Sequence, residues 1–169
     1  MHLPELTTER LWLRPWQEAD LPALLAMDGD ADVRRYVSDG KVPDPTVHEK
    51  RLRERIRTNG DEGLGFWSVF RRARRDDFLG TVGLVRLTLY PGIELDYRYR
   101  AAAWGQGFAT EAATACLDYA FRTLGLRELV ALVYPENTPS RRVIAKLGFM
   151  PAGRLQAGDA DLLLYKLHR

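Results

Sequence analysis

The sequence predicts a single mixed α/β (α+β) domain, with helices early and in the middle of the chain. Three observations support this prediction. The length of 169 residues suits one domain, which we expect to span residues 1–169. Apolar residues follow helical spacing between residues 21 and 57, and they alternate in the strands predicted between residues 66 and 100. No repeat, linker or low-complexity tract divides the chain.

Charge and hydropathy exclude several classes of protein. With 25 Lys and Arg against 23 Asp and Glu, the net charge is only +2. This is too small for the broad positive field that nucleic-acid binding needs, so we expect no nucleic-acid partner. No uncharged apolar run approaches the ~18 residues that span a bilayer, so we expect no membrane segment. Glu5, Glu9 and Arg10 disfavour a secretion signal, and a cytoplasmic location is expected.

Cysteine and histidine usage argues against disulfide and metal chemistry. The single cysteine, Cys116, cannot form an internal disulfide. Because it lies among small residues of a predicted helix, we interpret it as a buried structural thiol rather than an acyl-carrying nucleophile. His2, His48 and His168 are scattered without ligand spacing, so we predict no metal site.

The first part of the chain is predicted to form one strand and three helical segments. A strand over residues 11–14 alternates and stops at Pro15. Helical spacing predicts a helix over residues 21–27 and a shorter piece over 32–37. A charged helix follows, from the proline-rich cluster at residues 43–46 to residue 57.

Three strands are expected next. The first two cover residues 66–70 and 78–89 and flank a basic loop over residues 71–77. We interpret this loop as a solvated hairpin tip, with a phosphate site as the less favoured alternative. A third strand over residues 93–100 has Glu94, Asp96 and Arg98 on one face and Leu95, Tyr97 and Tyr99 on the other.

The rest of the chain alternates between helices and strands. Small residues in the helix predicted over residues 108–124 would let it lie close to a sheet. An apolar strand over residues 129–134 leads to a helix capped by Asn137 and ending at Gly148. Two strands follow, over residues 149–155 and 162–167, and a turn near Gly158 and Asp159 joins them. An exposed edge strand here would favour a homodimer.

The most informative segment lies between a predicted strand and a predicted helix, and its residues are Trp104, Gly105, Gln106, Gly107, Phe108, Ala109 and Thr110. The glycines allow a sharp turn with outward N–H groups. Together with the positive end of the helix dipole, these donors suit a pyrophosphate. A plain glycine turn is the simpler alternative. A nicotinamide site is disfavoured because Thr110 occupies the third glycine position of that fingerprint.

These residues resemble the GNAT superfamily of acyl-CoA-dependent N-acyltransferases. The loop is similar to the R/Q-x-x-G-x-G/A pyrophosphate signature, with Trp104 at its first position. It most resembles the branch of ribosomal-protein N-terminal (alanine/serine) acetyltransferases, which typically reads W-G-x-G-Y/F-A-T-E-A. Further similar segments are T-E-R-L at residues 8–11, G-T-V-G at 80–83, N-T-P-S at 137–140 and K-L-G-F at 146–149.

The resemblance implies a fold and a cosubstrate. The central sheet would be mixed, mostly antiparallel, flanked by helices, and splayed between the fourth and fifth predicted strands. Acetyl-CoA would bind there, with its pyrophosphate on the N–H groups of Gly105 to Thr110. Its pantetheine would pair with backbone exposed beside Leu95 and Tyr97. Asn137 would lie against the pantetheine arm.

The resemblance also implies direct attack of a primary amine on the thioester. A base must take the amine proton, and a donor must stabilise the departing thiolate. Glu94 is the first candidate for the base, with Asp96 and Glu136 as other carboxylates nearby and an ordinary solvated strand carboxylate as the alternative. Many members carry a donor Tyr where this chain has Ile144, so the donor role falls to Ser140, to water or to no group.

The expected activity is acetyl transfer from acetyl-CoA to a primary amine in a ternary complex. A protein N-terminus is the leading acceptor, and a small-molecule amine is the second. Asp96 stands where the branch often has glycine, and it would either select cationic acceptors or merely replace a small residue. The alternative is a binding module that holds coenzyme A without catalysis.

Overall fold

A computed structural model describes residues 2–36 and 44–169, which form one eight-stranded sheet with helices against both faces. The strands are β1 (Leu6–Thr7), β2 (Leu11–Pro15), β3 (Gly65–Arg71), β4 (Arg74–Arg86), β5 (Ile93–Tyr99), β6 (Glu128–Val133), β7 (Met150–Ala157) and β8 (Ala160–His168). The α-helices are α1 (Leu21–Gly29), α2 (Ala31–Arg34), α3 (Pro45–Arg57), α4 (Phe108–Asp118) and α5 (Thr138–Lys146). In this part of the chain, no helix has the length and apolar character needed to cross a bilayer.

The sheet is antiparallel except at its centre. The strand order is β1-β2-β3-β4-β5-β6-β8-β7, and only β5 and β6 run parallel. Their ladder contains a single register pair, Glu94 with Val130, whereas β4 pairs with β5 at seven positions and β6 with β8 at six. The predicted mixed, mostly antiparallel and splayed sheet is therefore confirmed.

Alternation along β3 divides the core into two layers. Phe66 and Phe70 face the first three helices, where they pack with Trp16, Leu24, Leu52 and Phe78. Trp67 and Val69 face the opposite side and pack in the larger cluster that includes α4. The small face predicted for this helix is fully buried at Ala112, Ala113, Cys116 and Ala120, so the helix lies close to the sheet. Burial raises the pKa of the Cys116 thiol, as expected of a structural cysteine.

The hairpin between β3 and β4 is tighter than predicted. The expected loop over residues 71–77 is a turn at Arg72 and Ala73, and β4 begins at Arg74. Two contacts explain why so basic a segment is ordered. Asp77 accepts from the Arg71 guanidinium at 2.7 Å, and the Arg75 guanidinium lies 4.4 Å from the ring centre of Trp12.

Other element bounds also differ from the prediction. Strand β4 ends at Arg86 rather than at residue 89, because the chain turns over residues 88–92. The helical piece predicted over residues 32–37 is α2, and its last predicted residue lies outside the described residues, as does Pro43 before α3. The helix predicted over residues 108–124 is confirmed as α4 followed by a π-helical turn, Tyr119–Thr123.

The two last strands occupy positions that chain order does not predict. The final strand, β8, inserts between β6 and β7, so β7 forms the edge of the sheet. Met150 at the start of β7 is 68% exposed. Homodimer formation through this edge stays a prediction.

Candidate active site

The strands β5 and β6 diverge beyond their single register pair. Each is bonded to a neighbour on its outer side, β5 to β4 and β6 to β8. Past the pair of Glu94 and Val130, no further β5–β6 register pair forms within the described residues. The inner edges of both strands therefore present backbone N–H and C=O groups to the gap between them, which suits an extended ligand.

The glycine loop lies at the start of α4. Gly105 and Gly107 have φ angles of +72° and +80°, and Gly107 is the N-cap residue of the helix. A Cβ on Gly105 would meet no atom within 4 Å, so the backbone conformation rather than space requires glycine there. Within the described part of the chain, the N–H groups of residues 105–110 donate no hydrogen bond, and they remain available to an anion.

A salt bridge from the start of the chain braces this loop from behind. Glu111 accepts from the side chain of Thr8, from the Arg10 backbone N–H at 2.9 Å and from Arg10 Nε at 2.6 Å. Arg10 also donates to the carbonyl of Gln106 at 3.0 Å. Although burial alone would raise it, the bonds from Thr8 and Arg10 lower the pKa of Glu111. Glu111 is thus a structural carboxylate.

The aromatic ring in the loop is held between two cations. The guanidinium carbons of Arg10 and Arg71 lie 4.8 and 4.9 Å from the ring centre of Phe108, which is buried. Arg71 also donates to the side chain of Gln106 at 3.3 Å, and Gln106 in turn donates to the carbonyl of Ala102. The Gln106 side chain therefore contributes to loop structure, and Gln106, unlike the other predicted residues of the loop, does not border the cavity beside it.

A cavity of about 330 Å³ opens beside the loop. Predicted cofactor residues on its wall are Tyr97, Trp104, Gly105, Gly107, Phe108, Ala109, Thr110, Asn137 and Ser140. Arg142 and Lys146 from α5 add positive charge to the same wall. Unbonded N–H groups, a helix N-terminus and two cations together fit a diphosphate.

A second cavity of about 1010 Å³ lies along the diverging strands. It is bordered by Glu94, Leu95 and Asp96, and it shares Tyr97, Asn137 and Ser140 with the smaller cavity. Leu95 is otherwise buried in the core. The two cavities thus meet where the strands diverge, so a ligand in one can contact a ligand in the other.

The environment of Glu94 suits a proton acceptor. Burial and the charge of Asp96 raise the pKa of Glu94 to about 8, although the backbone N–H of Leu132 and the charge of Arg55 act in the opposite direction. Glu94 borders only the larger cavity. Near neutral pH such a carboxyl group changes its protonation readily, which a general base requires.

A hydroxyl pair crosses from β5 to α5 beside the gap. Tyr97 Oη lies 2.8 Å from Ser140 Oγ, and the Tyr97 hydroxyl lies 3.2 Å from the Ser140 carbonyl. Burial raises the pKa of Tyr97 to about 12, so the phenol keeps its proton at neutral pH. The side chain of Asn137 accepts from the Ser140 N–H at 3.1 Å, which caps α5 and fixes the serine.

Sequence reasoning missed this hydroxyl pair and the salt bridge behind the loop. The absent family tyrosine, replaced by Ile144, directed attention to Ser140 alone, although Tyr97 lies on the strand face next to it. Ile144 itself is buried and borders the larger cavity. The T-E-R-L segment was a recognisable signal for the second feature, since Thr8 and Arg10 both bind Glu111.

Comparison with known proteins settles the family. The sequence model described as acetyltransferase (GNAT) domain matches residues 10–150. The chain belongs to the GNAT acetyltransferase family. This GNAT protein is 31% identical to the uncharacterized N-acetyltransferase p20 of Bacillus licheniformis over 156 residues, which cover 89% of this chain and 85% of p20. Membership identifies the chain as an acetyl-CoA-dependent N-acetyltransferase.

Solved structures agree with the GNAT assignment. The acetyltransferase from Agrobacterium tumefaciens str. C58 is 28% identical, with a TM-score of 0.84, and the match covers 100% of this chain and 96% of that one. RimL, a ribosomal L7/L12 alpha-N-protein acetyltransferase solved with coenzyme A, is 16% identical, with a TM-score of 0.79 and 98% coverage of both chains. The likeness to RimL shows a shared fold with a member of the branch that the sequence resembles.

We predict that Glu111→Ala weakens coenzyme A binding without changing the pH dependence of the reaction. Loss of the carboxylate frees Arg10 and loosens the loop, so its N–H groups are no longer held ready for the pyrophosphate. The dissociation constant of coenzyme A, measured by titration calorimetry, should rise about tenfold, equivalent to ~1.4 kcal/mol.

The matched control is Glu9→Ala, because Glu9 is exposed and adjacent to Arg10. Its affinity for coenzyme A should stay near that of the unaltered chain. Unchanged affinity in Glu111→Ala, or a shifted pH profile, would contradict the structural role of Glu111.

Proposed function

We propose that this chain transfers acetyl from acetyl-CoA to the α-amine of a protein N-terminus, by direct attack in a ternary complex. The observation that carries the proposal is the junction of the two cavities at the diverging strands. There, Glu94 borders the larger cavity and Ser140 borders both. Acetyl-CoA would occupy the smaller cavity and the acceptor the larger.

The binding of acetyl-CoA would use backbone more than side chains. The N–H groups of residues 105–110 would bind the pyrophosphate, with Arg142 and Lys146 adding charge. The pantetheine would follow the inner edge of β5 past Leu95 and Tyr97 toward Asn137 and would supply the strand pairing that β6 lacks there. Bound acetyl-CoA supplies the thioester, and the protein supplies position and proton transfer.

The chemistry would proceed in one exchange of bonds. The amine nitrogen forms a bond to the carbonyl carbon, the carbon–sulfur bond breaks, and the sulfur leaves with the electron pair. Glu94, directly or through a water, takes the proton that the nitrogen loses. Ser140 donates a hydrogen bond to the departing sulfur, and the Tyr97 hydroxyl, 2.8 Å away, orients Ser140. Coenzyme A leaves as the thiolate and takes a proton from solvent, while Glu94 returns its proton to solvent.

The choice of an α-amine rests on proton affinity. An α-amine has an ordinary pKa of about 7.7–8.0, against about 10.4 for a lysine side chain. A base whose pKa is about 8 takes a proton from the first at little cost, whereas taking it from the second costs about 3 kcal/mol more. The volume of about 1010 Å³ also has room for the first residues of a peptide.

We predict that kcat/KM rises with pH and reaches a plateau above pH 8. The carboxylate form of Glu94 and the unprotonated α-amine are both required, so acidification below about pH 8 should lower kcat/KM by up to about a hundredfold per pH unit. Glu94→Gln should lower kcat by about 10²–10⁴-fold. Initial rates of thiol release across pH 6–10 give the profile.

The control for this profile is Asp96→Asn. The Asp96 charge raises the pKa of Glu94, so its removal should shift the inflection to lower pH while the plateau rate survives. A profile that follows only the pKa of the acceptor amine, with no shift in Asp96→Asn, would remove Glu94 from the mechanism.

We predict that Ser140→Ala lowers kcat with little change in coenzyme A affinity, because the donor acts on the leaving sulfur. Tyr97→Phe should lower kcat by a smaller factor. The double variant should be no slower than Ser140→Ala, since the two hydroxyls work as one unit.

Independent, multiplying losses would contradict a shared role of the two hydroxyls. The same measurements test the alternative of a binding module. Coenzyme A binding without turnover of any α-amine would favour that alternative over catalysis.

A further inference from the structure

In the larger cavity, carboxyl groups and guanidinium groups lie mainly on different elements. Glu94 and Asp96 lie on β5, at the edge of the gap. Four arginines border the same cavity, namely Arg35, Arg51, Arg55 and Arg98. Arg51 and Arg55 lie one turn apart on α3 and therefore share a helix face, while Arg35 follows α2. A third carboxylate, Asp159, borders the cavity from the turn between β7 and β8.

One of the four guanidinium groups is already neutralised. Arg98 lies 3.0 Å from the carboxylate of Asp28, which is 2% exposed, and His48 Nε2 lies 2.9 Å from the same carboxylate. Arg34 donates to the Asp28 carbonyl at 2.7 Å. Arg98 is therefore a fixed wall residue, and its charge is not free for a ligand.

Arg35, Arg51 and Arg55 differ from Arg53 and Arg57, the other two arginines of α3, in having no carboxylate partner among the described residues. On the side away from the cavity, Arg53 binds Glu18 at 2.6 Å and Glu49 at 2.9 Å, and Arg57 binds Glu54. Among residues 2–36 and 44–169, by contrast, no ion pair involves Arg35, Arg51 or Arg55. The Arg55 guanidinium lies over the Phe66 ring, 5.6 Å from its centre.

One of these charges, that of Arg55, acts on Glu94. Arg55 is among the groups that lower the pKa of Glu94, so its field extends across the cavity to β5. The cavity therefore has carboxyl groups at β5, next to the proposed thioester site, and positive charge at α3. A ligand that matches both sides carries an amine at one end and an anion at the other.

We infer that the acceptor is an amine that also carries an anionic group, and that Arg51 and Arg55 select it by binding that group while the amine lies at Glu94. This inference rests on the proposed function and specifies its substrate class. Polyamines and basic peptides would place positive charge against unpaired guanidinium groups. Arg35 adds to the same field, and Asp159 opposes it from the opposite rim.

The test compares three peptides that differ in the charge of two side chains, with two small amines beside them. Peptide amides of sequence Ser-Glu-Glu-Ala, Ser-Gln-Gln-Ala and Ser-Lys-Lys-Ala, together with free glutamate and spermidine, are assayed with acetyl-CoA at low salt. The expected kcat/KM for the acidic peptide is at least tenfold above that for the basic peptide, and the ratio should fall in 0.5 M salt. Free glutamate as the better acidic substrate would identify a small molecule rather than a peptide as the source of the anion.

The variants assign the selection to particular residues. Arg51→Gln with Arg55→Gln should bring the acidic-to-basic ratio close to one. The matched control, Arg53→Gln with Arg57→Gln, removes two arginines from the same helix outside the cavity and should preserve the ratio. Because Arg55 also influences Glu94, the ratio is compared at the plateau of each pH profile. A ratio of one in the unaltered chain, or equal loss in both double variants, would overturn the inference.

Peptide binding in the presence of coenzyme A separates this inference from the proposed function. Fluorescence anisotropy measures the affinity of labelled acidic and basic peptides without turnover. Selective binding of the acidic peptide that disappears in the Arg51 and Arg55 variant supports the inference even if no acceptor is acetylated, and that result would count against catalysis. Equal affinity for both peptides would overturn it whatever the activity.

Discussion

The site depends on the single register pair that joins β5 to β6. Each strand is bonded along its outer side, so the two halves of the sheet are rigid up to the edge of the gap. Where the ladder stops after Glu94 and Val130, backbone groups in the middle of a sheet lack strand partners. Such groups need a ligand or water as partner, which supports the proposal that the gap holds the cosubstrate.

Two helices complete the opening, and each presents its N-terminus there. The start of α4 carries the glycine loop, and the start of α5 carries Ser140, capped by Asn137. The loop is held by contacts from the beginning of the chain, since Thr8 and Arg10 bind Glu111. At one end of the opening, free N–H groups and cations suit a diphosphate. At the other end, the carboxyl group of Glu94, whose pKa is raised, can take a proton.

Local patterns predicted much of this architecture. Alternation located β5, small residues at helical spacing located α4, an apolar run located β6, and capping residues located α5. The glycine loop was identified because two glycines precede a predicted helix and because the segment resembles the GNAT pyrophosphate signature. The two-residue β1 is too short to show an alternation of apolar residues. The place of β8 between β6 and β7 depends on tertiary packing rather than on the order of the strands along the chain. Spacing also cannot reveal contacts such as Arg10 with Glu111 or Tyr97 with Ser140, because they join residues far apart in the chain. The raised pKa of Glu94 follows from burial, which the strand pattern alone did not show.

Hydrogen exchange of the backbone tests the central claim most directly, since it reports on the gap and the loop without an acceptor or turnover. Amides of residues 105–110 and those on the inner edges of β5 and β6 should exchange rapidly in the free chain. Acetyl-CoA should protect both groups together, because one ligand bonds to the loop and completes the interrupted ladder. Protection of the loop alone would contradict the claim that the cosubstrate lies between the strands. Protection of neither group would contradict the site as a whole.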